Sequence, residues 1–240
     1  MGLREPRAEA SVAVRDDPGI LALRLIVLGK PGSGKGTQAR RLVEDRGIPA
    51  ISTGDLIRAA IAEDSPLGRE FKSFTDKGEL VPDSLIVSLV GERLRKADCA
   101  LGFLLDGFPR TIPQAEALED WMKRHELVLD IVLNIDVPDD VLVERAAGRR
   151  SCTLCGATFH ITFAPPKVDN FCDSCGGEGL VQRSDDRENV VAERLKQYAA
   201  KTAPLVDFYD KRNLLRTVEG VGSLDEVAGR ISAALDGTGI

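Results

Sequence analysis

Gly29-Lys30-Pro31-Gly32-Ser33-Gly34-Lys35-Gly36-Thr37 follows the apolar run Leu25-Ile26-Val27-Leu28 and opens onto a segment with helical spacing. A strand, a tight glycine-rich turn and a helix N-terminus together make a phosphate cradle. The glycines let backbone N–H groups converge on an anion, the helix dipole favours negative charge there, and Lys35 supplies a mobile cation. Gly29-x4-Gly34-Lys35 fits the P-loop pattern, but Gly36 stands where that pattern wants a hydroxyl, and Thr37 comes one residue late. In most P-loop proteins the hydroxyl binds magnesium. Here the ion is expected to rest on phosphates, waters and a carboxylate from elsewhere. A glycine-rich turn can also simply cap a helix, but three glycines, a lysine and this strand–turn–helix context favour nucleotide binding.

The 240-residue chain can bury one good core with smaller inserted lobes, and its 43% apolar and 29% charged residues are those of a soluble globular protein. A net charge of −6 argues against general nucleic-acid binding, and no apolar run approaches the length of a membrane span. Residues 1–21 are polar and carry both signs of charge. They lack the apolar stretch of a secretory signal, and their acidic residues count against a transit peptide, so a disordered tail and a cytoplasmic location are expected. Five cysteines divide into Cys99, read as a core residue, and two pairs, Cys152-x2-Cys155 and Cys172-x2-Cys175, separated by 16 residues. That spacing is the pattern of a four-thiolate structural zinc site. His125 reads as a polar helix end. His160 lies near a ligand set already complete, although it can compete for a place.

Short apolar strands alternate with helices along the chain. Strands are expected at 23–28, 49–51, 103–105, 131–135 and 214–218, and helices at 35–46, 55–75 with a break at Ser65-Pro66, 83–94, 112–126, 139–145, 188–210 and 224–235. Asp83 reads as a helix cap, and Thr111-x-x-Gln114 as a capping box. The alternation predicts an α/β fold, a three-layer sandwich with a central parallel sheet, whose ligands sit beyond the strand carboxyl ends. Residues 52–81 and 149–186 break the pattern and read as inserted lobes on a core of 22–51, 82–148 and 187–235. The second holds few large apolar side chains, and so small a lobe rarely holds itself together without a metal or disulfide.

A phosphate cradle does not by itself distinguish a switch, a transporter ATPase and a kinase. Arg58, Arg110, Arg145, Arg149, Arg183 and Arg194 all fall where the rim or the lobes would place them. Guanidinium groups grip phosphate oxygens bidentately and stay charged, so their convergence in an acidic protein suits a large bound polyanion. Arg150, Arg187 and Arg212 are better read as surface residues.

With these residues in view the chain, from about 22 to 235, resembles the adenylate kinases of the long-lid type. The resemblance is carried by Gly29–Thr37, Ile51-Ser52-Thr53-Gly54-Asp55, Asp106-Gly107-Phe108-Pro109-Arg110 with Gln114, Gly148-Arg149-Arg150, and Arg183-Ser184-Asp185-Asp186 followed by Arg194. The family's loop carries a glycine between lysine and threonine, so Gly36 is expected. The resemblance implies that the backbone of Gly32, Ser33, Gly34, Gly36 and Thr37, with the Lys35 amine, holds the ATP phosphates. Arg145 would stack on the donor adenine, Thr158 and Phe159 would help enclose ATP, and the Gly222 backbone would touch its base. The AMP site would comprise Thr53, Arg58, the Glu79-Leu80-Val81 backbone, Gly107, Phe108, Pro109, Arg110 and Gln114. Lys35, Arg110, Arg149, Arg183 and Arg194 would be catalytic, with Arg183 and Arg194 also reaching the AMP phosphate. Asp106 would stand behind the magnesium waters, and Cys152, Cys155, Cys172 and Cys175 would hold zinc. Residues 52–81 would bind the nucleoside monophosphate and 149–186 would form a zinc-binding lid, and Asp185 and Asp186 would position that lid when closed. Gln114 keeps two candidate jobs, helix cap and adenine contact. The expected partners are ATP, AMP and ADP, with no nucleic acid or membrane, and the expected state is a monomer.

Two rival readings predict different behaviour. A UMP/CMP or GMP kinase would differ in acceptor preference. A nucleotide-dependent switch, with the cysteine knot docking a partner, would hydrolyse ATP slowly without acceptor and leaves Asp106–Arg110 unexplained.

Overall fold

The computed structural model describes residues 23–64 and 66–236; the expected tail at 1–21 lies outside them. β1 (Leu23–Leu28) leads through the glycine loop into α1 (Lys35–Arg46), and Gly47 ends that helix with φ 66° and its N–H on the Val43 carbonyl. β2 (Ala50–Ser52) runs directly into α2 (Thr53–Ala62), where Ser52 caps the helix by accepting from the Asp55 N–H. α3 (Pro66–Thr75) begins at the expected proline. Then come α4 (Asp83–Leu94), β3 (Gly102–Asp106), α5 (Ile112–Arg124), β4 (Ile131–Asp136) and α6 (Asp139–Gly148). A small antiparallel sheet of β5 (Arg149–Cys152), β6 (Thr158–His160) and β7 (Leu180–Val181) follows. The chain closes with α7 (Glu188–Gln197), α8 (Pro204–Asp210), β8 (Leu215–Glu219) and α9 (Leu224–Asp236).

The main sheet has the order β2-β3-β1-β4-β8, and every pairing is parallel. Successive side chains of a strand face opposite sides, and the core divides accordingly. Ile26 and Leu28 of β1, Phe103 and Leu105 of β3 and Val132 of β4 pack with α4, α5 and α8. Leu25, Val27, Leu104, Ile131, Leu133 and Ile135 pack on the other face with α1, α6 and α9. A parallel sheet buried on both faces explains why its strands read as continuous apolar runs. No helix among the described residues is long and apolar enough to cross a membrane.

Two expected elements differ. The segment 188–210 is not one regular α-helix. Between α7 and α8, Tyr198–Thr202 widens into a π turn in which the Ala203 N–H donates to the Tyr198 carbonyl at 2.8 Å. Pro204 brings no N–H and its ring would crowd the Ala200 carbonyl, so the chain inserts a wider turn just ahead of it. Asp83 does not cap α4: the N-cap is Pro82, which makes no side-chain cap bond, and the Asp83 carboxylate faces α5 instead.

Candidate active site

The turn from β1 into α1 sets helix N–H groups at the carboxyl rim of the sheet. Gly29 has φ 146°, and a Cβ there would meet the Ile135 carbonyl oxygen at 2.6 Å, so only glycine lets the loop pass β4. Lys35 Nζ donates to the carbonyls of Gly29 (2.6 Å) and Lys30 (2.8 Å). Burial lowers its pKa from 10.5 to about 8; Asp106 opposes this, while Arg110, Arg194 and Arg149 reinforce it. A buried ammonium with three cationic neighbours is short of negative charge, which a polyphosphate would supply.

Asp106, at the end of β3, faces the loop, and a Cβ at Gly36 would lie 3.4 Å from its Oδ2. Burial raises its pKa, against the pull of Lys35 and Arg110. Among the described residues its carboxylate takes no hydrogen bond or ion pair. An acceptor-only group left free beside a phosphate cradle suits a hydrated hard cation, so the residues present fit magnesium.

After Asp106 the chain bends at Gly107, whose φ of 78° puts Arg110 and Thr53 against it. A Cβ there would meet Thr53 Oγ1 and Arg110 Nη2, each at 3.0 Å. Thr53 Oγ1 and Arg110 Nε both donate to the Gly107 carbonyl at 2.8 Å. The Phe108–Pro109 peptide is cis. Arg58 lies over Gly54 and pairs with Asp55. Burial would raise the Asp55 pKa, but Arg58 outweighs it and holds the carboxyl below its ordinary range.

Three further arginines hang on two aspartates. Arg149 grips the fully buried Asp186 through two nitrogens, with Nε at 2.8 Å. Arg183 is bidentate on Asp185 at 2.9 Å, and Arg194 reaches the same carboxylate at 3.0 Å. Burial would raise the Asp185 pKa, but Arg194 and Arg183 hold it far below the carboxylate range. Arg194 is itself lowered to about 10, mainly by burial, with the other arginines adding to the shift.

Apart from Thr53 and the buried Asp186, these groups line one cleft of about 1140 Å³. On the side of the glycine loop it gathers Arg145, Thr158, Phe159 and Gly222, with Arg145 donating to the Gly220 carbonyl at 3.1 Å. On its other side it gathers Arg58, Glu79, Leu80, Gly107, Pro109 and Arg110. Asp106, Arg149, Arg183 and Arg194 line it as well. Thr53, Val81 and Gln114 line a smaller adjoining hollow of about 30 Å³ that shares Leu80, Gly107 and Arg110 with the cleft. The structure does not bring the Phe108 side chain to either: it is 1% exposed and packs in the core. An aromatic ring next to the sheet is drawn into the apolar layer, so only the Phe108 backbone is left for a ligand.

The four thiolates meet in the small sheet, all within 4.8 Å of one another, with Cys152–Cys175 and Cys155–Cys172 at 3.7 and 3.5 Å. A tetrahedron with metal–sulfur bonds of about 2.3 Å has edges of about 3.8 Å, so the set fits zinc. His160 is not among them. Its Nδ1 accepts the N–H groups of Thr162 (3.0 Å) and Phe163 (3.1 Å), which occupies the ring elsewhere. His125 stacks on Trp121 at 4.0 Å, and Cys99 is buried in the core.

Residues 27–214 match the adenylate kinase family model. The chain is 52% identical over 214 residues to an adenylate kinase of Thermodesulfovibrio yellowstonii, covering 89% of this chain and 99% of the relative. It is 51% identical over 215 residues to that of Bacillus subtilis (90% and 99%) and 50% identical over 214 to that of Archaeoglobus fulgidus (89% and 98%). The chain belongs to the adenylate kinase family.

Sequence reasoning gave no role to three residues around this adenylate kinase site. Thr202 is buried and donates from Oγ1 to the Arg110 carbonyl at 2.8 Å, which fixes the loop from across the π turn. Nothing in its neighbours marks it. Asp55, by contrast, stands three residues before Arg58 on α2, a spacing that could have revealed the pair. Arg40 donates to the Gly156 carbonyl, linking α1 to the cysteine sheet.

Proposed function

We propose that the chain catalyses reversible transfer of the terminal phosphoryl group of magnesium ATP to AMP, giving two ADP. Family membership supports the reaction. The observation that carries it is the meeting of Lys35, Arg110, Arg149, Arg183 and Arg194 along one cleft. ATP would lie with its phosphates on Gly32–Thr37 and Lys35 and its base between Arg145 and Gly222. AMP would lie with its phosphate between Arg58 and Arg110 and its base toward Thr53, Val81 and Gln114. An AMP phosphate oxygen attacks the terminal phosphorus as the bond to the bridging oxygen breaks, and that oxygen leaves on ADP. The attacking oxygen is already an anion, so no base or covalent nucleophile is needed. Arg149, Arg183 and Arg194 balance the charge spread over the transferring group, and Lys35 follows it.

Adenylate kinases use magnesium with ATP; Asp106 would hold the ion through its waters, and the ion would neutralise phosphate charge. Zinc on Cys152, Cys155, Cys172 and Cys175 would be structural, since four thiolates leave no open position. We take residues 52–81 as the AMP-binding lobe and 149–186 as the lid, closing on the 22–51, 82–148 and 187–235 core to exclude water. The charge of −6 weighs against nucleic-acid binding, and we take the protein to be a monomer working in the cytoplasm. A coupled assay with ATP and AMP tests the reading. Stoichiometric ADP is expected, with UMP, CMP and GMP far poorer acceptors, and ATP hydrolysis that ignores AMP would reject it.

A further inference from the structure

Asp83 opens α4, and its carboxylate points across to α5. Oδ2 accepts from Thr111 Oγ1 at 2.9 Å, and Oδ1 accepts from Gln114 Nε2 at 2.6 Å. Gln114 is 2% exposed, and its Oε1 accepts the Arg110 backbone N–H at 2.7 Å. The Gln114 N–H in turn donates to Thr111 Oγ1 at 3.2 Å, so the capping box is only half formed: the glutamine side chain has left the cap for Asp83.

A glutamine amide has nearly the same shape either way round, and only its partners decide which end holds the oxygen. Here both partners are one-sided. An ionised carboxylate only accepts and a backbone N–H only donates, so turning the amide over would set oxygen against oxygen and N–H against N–H. With those bonds made, one Nε2 hydrogen and one Oε1 lone pair remain for a ligand in the hollow that Gln114 shares with Thr53, Leu80 and Val81. A 6-aminopurine offers an N–H at C6 and a lone pair at N1, which match them. A 6-oxopurine offers the reverse pair.

We infer that Asp83 is a positioning residue for acceptor selectivity, holding the Gln114 amide in the one orientation that suits a 6-amino and not a 6-oxo purine monophosphate. This rests on the proposed placing of the AMP base at Gln114. Asp83 also ties the chain leaving Val81 to the start of α5, so the two walls of the hollow are joined through the same carboxylate.

The test compares AMP with inosine monophosphate, which differ only at the purine edge concerned, using ATP as donor. Asp83→Ala and Asp83→Leu, the second filling the space without an acceptor, are each expected to raise the KM for AMP about tenfold and leave the KM for ATP within about twofold. The ratio of kcat/KM for AMP over inosine monophosphate should fall about tenfold in both, and Asp83→Asn, which keeps an acceptor oxygen, should restore it to within about threefold. That ratio does not depend on how much of a variant is folded. An unchanged ratio in Asp83→Ala and Asp83→Leu, or an Asp83→Asn as impaired as they are, overturns the positioning role. If the unsubstituted protein makes no ADP from ATP and AMP, the reaction assignment itself fails, a result separate from either.

Discussion

Lys35 carries the sharpest electrostatic consequence at the scale of single residues. With its pKa lowered by burial to about 8, a good part of the free protein has lost this proton by about pH 8.5. A bound polyphosphate favours the ammonium and raises the pKa again, so binding must draw a proton in. Calorimetry of ATP binding at about pH 8.5 in buffers of different ionisation enthalpy should show uptake of up to about one proton per site. Lys35→Arg, charged throughout, should bind without that uptake. No buffer dependence in the unsubstituted protein, or proton release, would contradict the assignment. Most residues of this kind were legible because their chemistry is local: a glycine loop, a lysine and a carboxylate after an apolar strand announce themselves by type and spacing. Phe108 shows the limit. It lies inside the most specific motif of the chain, yet the sheet's apolar layer claims its side chain. Asp83 shows the same limit from the other side, since a carboxylate at a helix start reads as a cap until α5 is seen beside it.

At the scale of elements, the cysteine sheet stands apart in what holds it together. Its core is Cys152, Ala157 and Cys172, with Phe159 and Leu180 only partly covered, far too little apolar surface to order the segment alone. Zinc held by the four cysteines would supply the missing stabilisation, since its binding to such a set contributes roughly 10–16 kcal/mol in isolated fingers. Elemental analysis should find about one zinc per chain. Stripping it should lower the thermal midpoint, while activity in the cold largely persists, because four sulfur ligands leave the metal no open position for a phosphate. Loss of activity with the midpoint unmoved would mean the metal belongs to the chemistry instead. The CxxC pairs made this site legible from spacing alone. The break between α7 and α8 was not, because a proline can end a helix, kink it or be absorbed by a π turn. Packing settles which: Thr202 in that turn is held by the Arg110 carbonyl.

For the whole molecule the question is how so many guanidinium groups occupy one cleft without phosphate to neutralise them. Asp185 and Asp186 answer it, since Arg183 and Arg194 share the first and Arg149 holds the second. The arginines are thereby held at the cleft, and on the proposed reading a bound polyphosphate would offer them phosphate oxygens in addition to these carboxylates. Long-range order of this kind was only partly readable. The arginines were recognisable as a set, but the carboxylates that hold them fall 37 residues from Arg149 and 9 from Arg194, and no spacing rule pairs them. Arg149→Ala is the variant that isolates the transition-state contribution, because on the proposed reading Arg149 would meet the phosphates from the lid and not from the AMP side. It is expected to lower kcat about 10³-fold while the KM for AMP stays within about threefold. Removing it also leaves buried Asp186 with only the looser ion pair to Arg194, at 3.9 Å, among the described residues, so the thermal midpoint should drop as well. Turnover must therefore be expressed per active site, by titration with a tight bisubstrate analogue, below the variant's own transition. Near-normal turnover per site would remove Arg149 from the reaction, and a rise in the KM for AMP with kcat intact would move it to the acceptor phosphate.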